Sequence, residues 1–229
     1  PPPPPPLFFP AEDGIRDLVL SRGLGDVYKR QLFTHNSCKL LMLSCFQRFN
    51  VLGNVPKKEN GPYIFMFNHA SMFDAFMLGG SIPFYINAIG WEGIFKWPLW
   101  GFFAKRYGAY SITHDNTHSA IKTLEAAEKI LLQDGDSMIL SPEGQRTITG
   151  ELGEFKKGGF HYVKNTNIAS IVPVGLKGAF EANKRTSWKI NPGNLTVVFG
   201  EPILPLDYKE LSVEELRNLT KKRISELLV

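Results

Sequence analysis

Pro62–Leu78 reads Pro-Tyr-Ile-Phe-Met-Phe-Asn-His-Ala-Ser-Met-Phe-Asp-Ala-Phe-Met-Leu. After the breakers Gly61 and Pro62, Tyr63 to Phe67 is an unbroken apolar, aromatic-rich run of strand length. Such a run fits a parallel strand buried on both faces, where alternation has no reason to appear. It stops at Asn68-His69, and Ser71 and Asp74 then stand in Ser-x-x-Asp spacing before a second apolar segment. That spacing predicts a helix start, with Ser71 capping and Asp74 in the first turn, where the helix dipole favours a carboxylate. His69 then falls at the carboxyl end of a strand, where open α/β sheets bind ligands. Residues five apart do not share a helix face. With His69 in the turn and Asp74 in the first helical turn, however, the carboxylate can fold back onto the imidazole. A carboxylate on one ring nitrogen sets the tautomer and leaves the other nitrogen to take a proton. That is a general base with no serine beside it. Taken alone, the pair also reads as a loop histidine and a dipole-complementing aspartate.

The same local geometry recurs downstream. Asp134-Gly135-Asp136 is a turn, and Ser137 to Leu140 a short buried strand that runs into Ser141-Pro142-Glu143-Gly144-Gln145-Arg146. Glu143 can accept bonds from a polyol or order the loop, and Gly144 permits close backbone approach. Arg146 offers a planar fork for a phosphate or carboxylate. Around these motifs the spacing predicts a helix over Leu32 to Asn50 and strands at Val51 to Pro56 and Pro83 to Ile89. Gly79-Gly80 reads as the end of the helix after His69. Buried strands follow at Ile171 to Leu176 and Leu195 to Phe199, and a closing helix at Val213 to Leu228, burying Leu216, Leu219, Ile224, Leu227 and Leu228. The fold class is α/β, one domain with a mostly parallel central sheet flanked by helices.

Asn68-His69 and Asp74 match the Asn-His-x-x-x-x-Asp signature of the glycerolipid acyltransferases, and Pro142 to Arg146 matches Pro-Glu-Gly-Thr-Arg with Gln145 in place of Thr. The chain resembles that family, whose best-known members are 1-acylglycerol-3-phosphate acyltransferases, from roughly Phe49 to Leu228. The resemblance implies His69 and Asp74 as the catalytic pair, and Asn68, Glu143, Gly144 and Arg146 as substrate-binding residues. It further implies that Lys156 and Lys157, in Phe155-Lys-Lys-Gly-Gly-Phe160, meet the anionic part of an acyl donor. A solvated basic turn is the plainer reading of the two lysines. In the family's second block Gly90-Trp91 and Thr113-His114 replace the usual basic residue and Asp-Arg. His114 and Lys105 are then left to contact the acceptor. The implied reaction is acyl transfer from acyl-CoA or acyl carrier protein to a lysophospholipid hydroxyl, most closely 1-acylglycerol-3-phosphate, with no cofactor. An acceptor without a phosphate, or a non-catalytic lipid-binding module, stays open as an alternative.

Composition sets outer bounds. The 229 residues make one domain's worth of chain, 43% hydrophobic and 21% charged, with a net charge of +4. The imbalance suits anionic surfaces without choosing between nucleic acid and lipid; the family resemblance chooses lipid and excludes nucleic acid. Cys38 and Cys45 fit neither a zinc site nor a disulfide framework. His114 and His118 are spaced for one helix face but lack a third ligand, so no metal is expected. There is no Gly-x-Ser-x-Gly elbow for a serine hydrolase and no phosphate-binding Gly-Lys loop.

Pro1 to Gln31 opens on a hexaproline and shows no sustained helical or strand period. Its Ala-Glu-Asp-Gly-Ile-Arg-Asp and Ser-Arg-Gly-Leu-Gly-Asp-Val-Tyr-Lys-Arg-Gln strings resemble translated adapter read-through. We expect residues 1–31 to be a non-native or disordered leader and 32–229 the acyltransferase domain. No apolar run reaches the roughly 20 residues of a membrane span. Trp91 to Arg106 interleaves Trp and Phe with Lys and Arg, which suits either a membrane–water interface or an aromatic core helix. The expected location is the cytoplasmic face of a membrane, held peripherally or by a segment ahead of this sequence.

Overall fold

The computed structural model describes residues 24–91, 110–112 and 135–229. In chain order the elements are α1 (Leu24–Ser44), β1 (Gln47–Leu52), β2 (Tyr63–Phe67), α2 (Asp74–Ser81), β3 (Ile86–Trp91) and β4 (Tyr110–Ile112). Then come β5 (Ser137–Leu140), α3 (Gly158–Thr166), β6 (Ser170–Lys177), α4 (Ala179–Ala182), β7 (Gly193–Phe199), α5 (Pro205–Tyr208) and α6 (Val213–Leu228). The strands form one sheet in the order β1-β7-β6-β2-β5-β3-β4. Every pairing is parallel except β6 with β7. The sheet is therefore mostly parallel, with β1 and β7 running against the rest.

β2 lies between β5 and β6, and all five of its residues are buried. Tyr63, Phe65 and Phe67 enter one core with Phe73, Met77 and Val174, while Ile64 and Met66 enter a second with Met138, Phe160, Ile171 and Ile224. Helices α1 and α2 cover the first face, α3 and α6 the second. Two covered faces explain why the run shows no alternation. Each such side chain contributes about 1.5–3 kcal/mol by leaving water.

Several boundaries depart from expectation. The first helix ends at Ser44 rather than Asn50, where β1 already takes over, and β3 runs Ile86–Trp91 rather than Pro83 to Ile89. Helix α1 begins at Leu24, inside the stretch read as lacking a helical period. Gln31 is buried, and its amide donates to the Ile82 carbonyl at 2.9 Å. Gly79-Gly80 does not stop α2, which continues to Ser81. The pair instead lets α1 approach: a Cβ on Gly79 would lie 2.9 Å from Cys38 Sγ, and one on Gly80 would lie 3.2 Å from Met42 Cε. The first strand is Gln47–Leu52 rather than Val51 to Pro56; as an edge strand it keeps polar Arg48 and Asn50 exposed.

The closing helix forms as expected, started by a capping box. Ser212 Oγ accepts from Glu215 N–H at 3.2 Å and Glu215 Oε2 accepts from Ser212 N–H at 2.7 Å. Leu216, Thr220 and Ile224 are its buried residues; Leu219 and Leu228 are only partly covered. No helix among the described residues is long and apolar enough to cross a membrane.

Candidate active site

β2 ends at Phe67, and the next two residues turn in different directions. Asn68 turns sideways to β6: its Nδ2 donates to the Leu176 carbonyl at 3.1 Å, and its Oδ1 accepts from Leu176 N–H at 2.7 Å. This amide extends the β2–β6 ladder by one side chain and is buried. Asn68, implied by the resemblance to bind substrate, has both its polar atoms committed to the backbone and acts as a pin. Asn68→Ala is expected to leave a buried N–H and C=O bare, lowering stability by roughly 2–4 kcal/mol in urea unfolding. A loss below about 0.5 kcal/mol would mean water fills the gap.

His69 faces the open end of the sheet. Its Nδ1 lies 2.7 Å from Asp74 Oδ2. The same oxygen accepts from Ala70 N–H at 2.8 Å and Ser71 N–H at 3.0 Å. An oxygen already receiving two N–H groups is an acceptor, so Nδ1 carries the hydrogen and Nε2 presents its lone pair. The Asp74 side chain is 2% exposed and that of His69 31%, so the pair is buried at the carboxylate and open at the base.

Asp74 is the first residue of α2, and the cap is not the full box that Ser71 predicts. Asp74 reaches back to Ser71 N–H, but Ser71 Oγ accepts from Phe73 N–H at 3.3 Å rather than from Asp74. The helix starts at Asp74, with Phe73 rather than Ser71 at its N-cap.

The second motif clamps the first. His69 N–H donates to Glu143 Oε1 at 2.7 Å, and Gly153 N–H donates to Glu143 Oε2 at 2.8 Å. The His69 carbonyl accepts from Thr147 N–H at 2.8 Å. Of the two roles open to Glu143, the structure assigns it loop ordering: both oxygens are used and the side chain is buried. Burial pushes its carboxyl above the usual range, aided by the charge of Asp74 and opposed by the amide bonds of His69 and Gly153. The folded protein thus holds this proton more tightly than the unfolded chain. By linkage, the contribution of Glu143 to stability falls as pH rises from the ordinary 4.5 through the raised folded value. We predict that wild type loses stability relative to Glu143→Gln across that window in urea titrations at stepped pH. A pH-independent difference between the two would refute it.

Gly144 takes φ +71°, and a Cβ there would lie 2.9 Å from Lys156 Nζ, so the Lys156 chain runs over this glycine beside Glu143. Lys157 is not brought to the site: its Nζ pairs with Glu214 on α6 at 3.1 Å. Arg146 is half-buried, and its carbonyl accepts from Arg185 at 3.1 Å. Lys105 and His114 lie outside the described residues, as does the segment from Glu92 to Arg106. Sequence reasoning does not single out Gly153, Thr147 or Arg185. Gly153 and Thr147 act through backbone N–H groups, on Glu143 ten residues back and on His69, and Arg185 through its guanidinium on a carbonyl 39 residues back.

A buried carboxylate holding a half-open histidine at the carboxyl end of a parallel strand defines an α/β protein equipped for general base chemistry. Residues 48–177 match the acyltransferase family, and the chain belongs to that family. A 1-acyl-sn-glycerol-3-phosphate acyltransferase of Cocos nucifera is 30% identical over 78% of this chain and 57% of its own length. A chloroplastic 1-acyl-sn-glycerol-3-phosphate acyltransferase of Arabidopsis thaliana, LPAT1, is 32% identical over 79% of this chain and 51% of its own. The chain thus spans about half the length of these curated relatives. The crystal structure of the 1-acyl-sn-glycerophosphate (LPA) acyltransferase PlsC from Thermotoga maritima shares the fold. It has a TM-score of 0.75 at 21% identity, over 94% of this chain and 86% of that one.

Proposed function

We propose that this chain transfers a fatty acyl group from a thioester, acyl-CoA or acyl carrier protein, to the free hydroxyl of a lysophospholipid, 1-acylglycerol-3-phosphate before others. The observation that carries it is the Nδ1–Asp74 bond, which leaves Nε2 of a half-exposed His69 as proton acceptor. His69 takes the hydroxyl proton as the oxygen attacks the thioester carbonyl. The tetrahedral intermediate collapses with loss of the C–S bond, and the imidazolium returns the proton to the departing sulfur. Asp74 stabilises the imidazolium between the two steps. Arg146, whose guanidinium makes no ion pair among the described residues, is suited to the acceptor's anionic head group. Lys156, exposed over Gly144, is the donor-side cation of this reading.

The names of the relatives support the phosphorylated acceptor. Gly90-Trp91 and Thr113-His114, in place of the family's cations, favour testing a second acceptor without phosphate.

We further propose a membrane surface, its cytoplasmic face, as the working location. The outer side of α1 and the turn after it expose Leu32, Phe33, Leu40, Leu43 and Phe46. From Leu32 to Lys58 there are four cations, Lys39, Arg48, Lys57 and Lys58, and no acid.

The test is thiol release from acyl-CoA with detergent-dispersed lysophosphatidate, for wild type and His69→Ala. Release that needs acceptor and His69 supports the transferase. Release without acceptor would indicate thioester hydrolysis, and activity only on an uncharged lysolipid would move the acceptor. Silence with every donor and acceptor from folded protein would favour a binding module.

A further inference from the structure

We propose that the loop from Asn183 to Pro192, between α4 and β7, is a second membrane-docking element beside the active site, built to insert Trp188 at an anionic lipid surface. The inference rests on the proposed membrane location and deepens it.

The loop is held in one shape. Asn183 is buried, and its Nδ2 donates to the Ser187 carbonyl at 3.0 Å and the Lys189 carbonyl at 3.1 Å. Lys189 N–H donates to Ser187 Oγ at 3.0 Å, and Asn191 Nδ2 donates to the Glu181 carbonyl at 2.8 Å. This bracing presents Trp188 at 84% exposure, with Ile190 also exposed. These bonds fix the backbone on either side of the exposed indole. Trp is the side chain suited to a bilayer interface, where its ring leaves water while the N–H stays wet.

Its charge complements an anionic surface. Lys184, Arg185 and Lys189 flank Trp188, all exposed, and the nearest acids in sequence are Glu181 and Glu201. Cations at an anionic bilayer attract it at about 1 kcal/mol each.

Position ties the loop to both the site and α1. Gln47, the first residue of β1, donates from Nε2 to the Asn191 carbonyl at 2.7 Å. Gln47 follows Phe46, which takes φ +57° and is 77% exposed. A left-handed non-glycine residue costs of order 1–3 kcal/mol, so here a strained position displays a Phe to solvent. On the other side, Arg185 donates to the Arg146 carbonyl, and the same strand-to-helix segment reaches His69 through Thr147 N–H. β7 and β1 start at the end of the sheet where β2 and β6 finish, since Thr196 pairs with Lys177 and Gln47 with Gly193. The exposed apolar residues of α1's last turns, Trp188 and the catalytic histidine therefore belong to one end of the molecule.

The experiment is co-sedimentation of the full chain with vesicles of phosphatidylcholine alone or of phosphatidylcholine and phosphatidylglycerol. Wild type is compared with Trp188→Ala and with the pair Lys184→Gln, Lys189→Gln. The lysine pair is expected to weaken partition onto the anionic vesicles by roughly fivefold per lysine while leaving the neutral vesicles unaffected. Trp188→Ala should weaken partition onto both. Wild-type partition by both variants would overturn the proposal. So would a lipid-free dimer, seen by sedimentation velocity, that Trp188→Ala dissociates, because a second copy would then cover the loop. Partition needs no turnover: a chain that docks through this loop yet releases no thiol sinks acyl transfer alone. One that releases thiol while both variants partition like wild type sinks the docking loop alone.

Discussion

His69→Ala is expected to cut acceptor-dependent thiol release by roughly 100- to 10,000-fold, the range that a positioned general base supplies. The loss should fall on kcat. His69 reaches the reacting hydroxyl through Nε2 and is not among the residues suited to the head group, so KM for the acceptor should change little. The fold should survive. The two backbone bonds of His69, to Glu143 and Thr147, do not involve the imidazole. Asp74 would keep its bonds to Ala70 and Ser71. Stability within about 1 kcal/mol of wild type is therefore expected, and thermal unfolding checks it. Activity retained within tenfold, in folded protein, would remove His69 from the chemistry. Residual turnover at the lower limit is expected, because positioning of the two substrates contributes on its own.

How far the sequence alone exposes this architecture depends on where each residue's partners lie. β2 was readable to the residue, since burial on two faces writes an uninterrupted apolar run. The His69–Asp74 pair was readable because its members are five apart and meet within one turn. Asn68 was not: its partner is Leu176, 108 residues on, and an asparagine at a strand end looks the same whether it pins a neighbouring strand or binds a ligand. Glu143 poses the same difficulty. A Glu-Gly turn suggests an exposed carboxylate, and only the packing of β5 against β2 puts it on the amide of His69, 74 residues away. Gly79-Gly80 misleads for the opposite reason: a local rule for helix ends is overridden by the need for α1 to pack close. Contacts made within one turn are legible in the sequence, and clamps between distant segments are not.

Asp74 provides the second large effect, and two substitutions separate its two roles. Asp74→Asn keeps the shape. With its carbonyl in the place of Oδ2 it still accepts from His69 Nδ1, Ala70 N–H and Ser71 N–H, while its amide nitrogen replaces Oδ1 and sets a donor against Ser71 N–H, so the loop is largely retained. The negative charge is gone, and the imidazolium formed during transfer faces a neutral amide in a site where the carboxylate was 2% exposed. Loss of the aspartate from a histidine–aspartate pair costs up to about 10,000-fold in kcat; we expect roughly 1,000-fold here, with stability lowered by about 1 kcal/mol for the Oδ1 acceptor that Ser71 N–H loses. Asp74→Ala should also strip the acceptor from two backbone N–H groups, at about 1–3 kcal/mol each. It should therefore unfold at markedly lower urea as well as lose activity. Because Asp74 touches neither substrate in the proposed reaction, KM should move less than threefold in Asp74→Asn, a split that distinguishes charge support from binding. If Asp74→Asn retained activity within tenfold while Asp74→Ala did not, the carboxylate would be a loop brace, and His69 would work without an electrostatic partner.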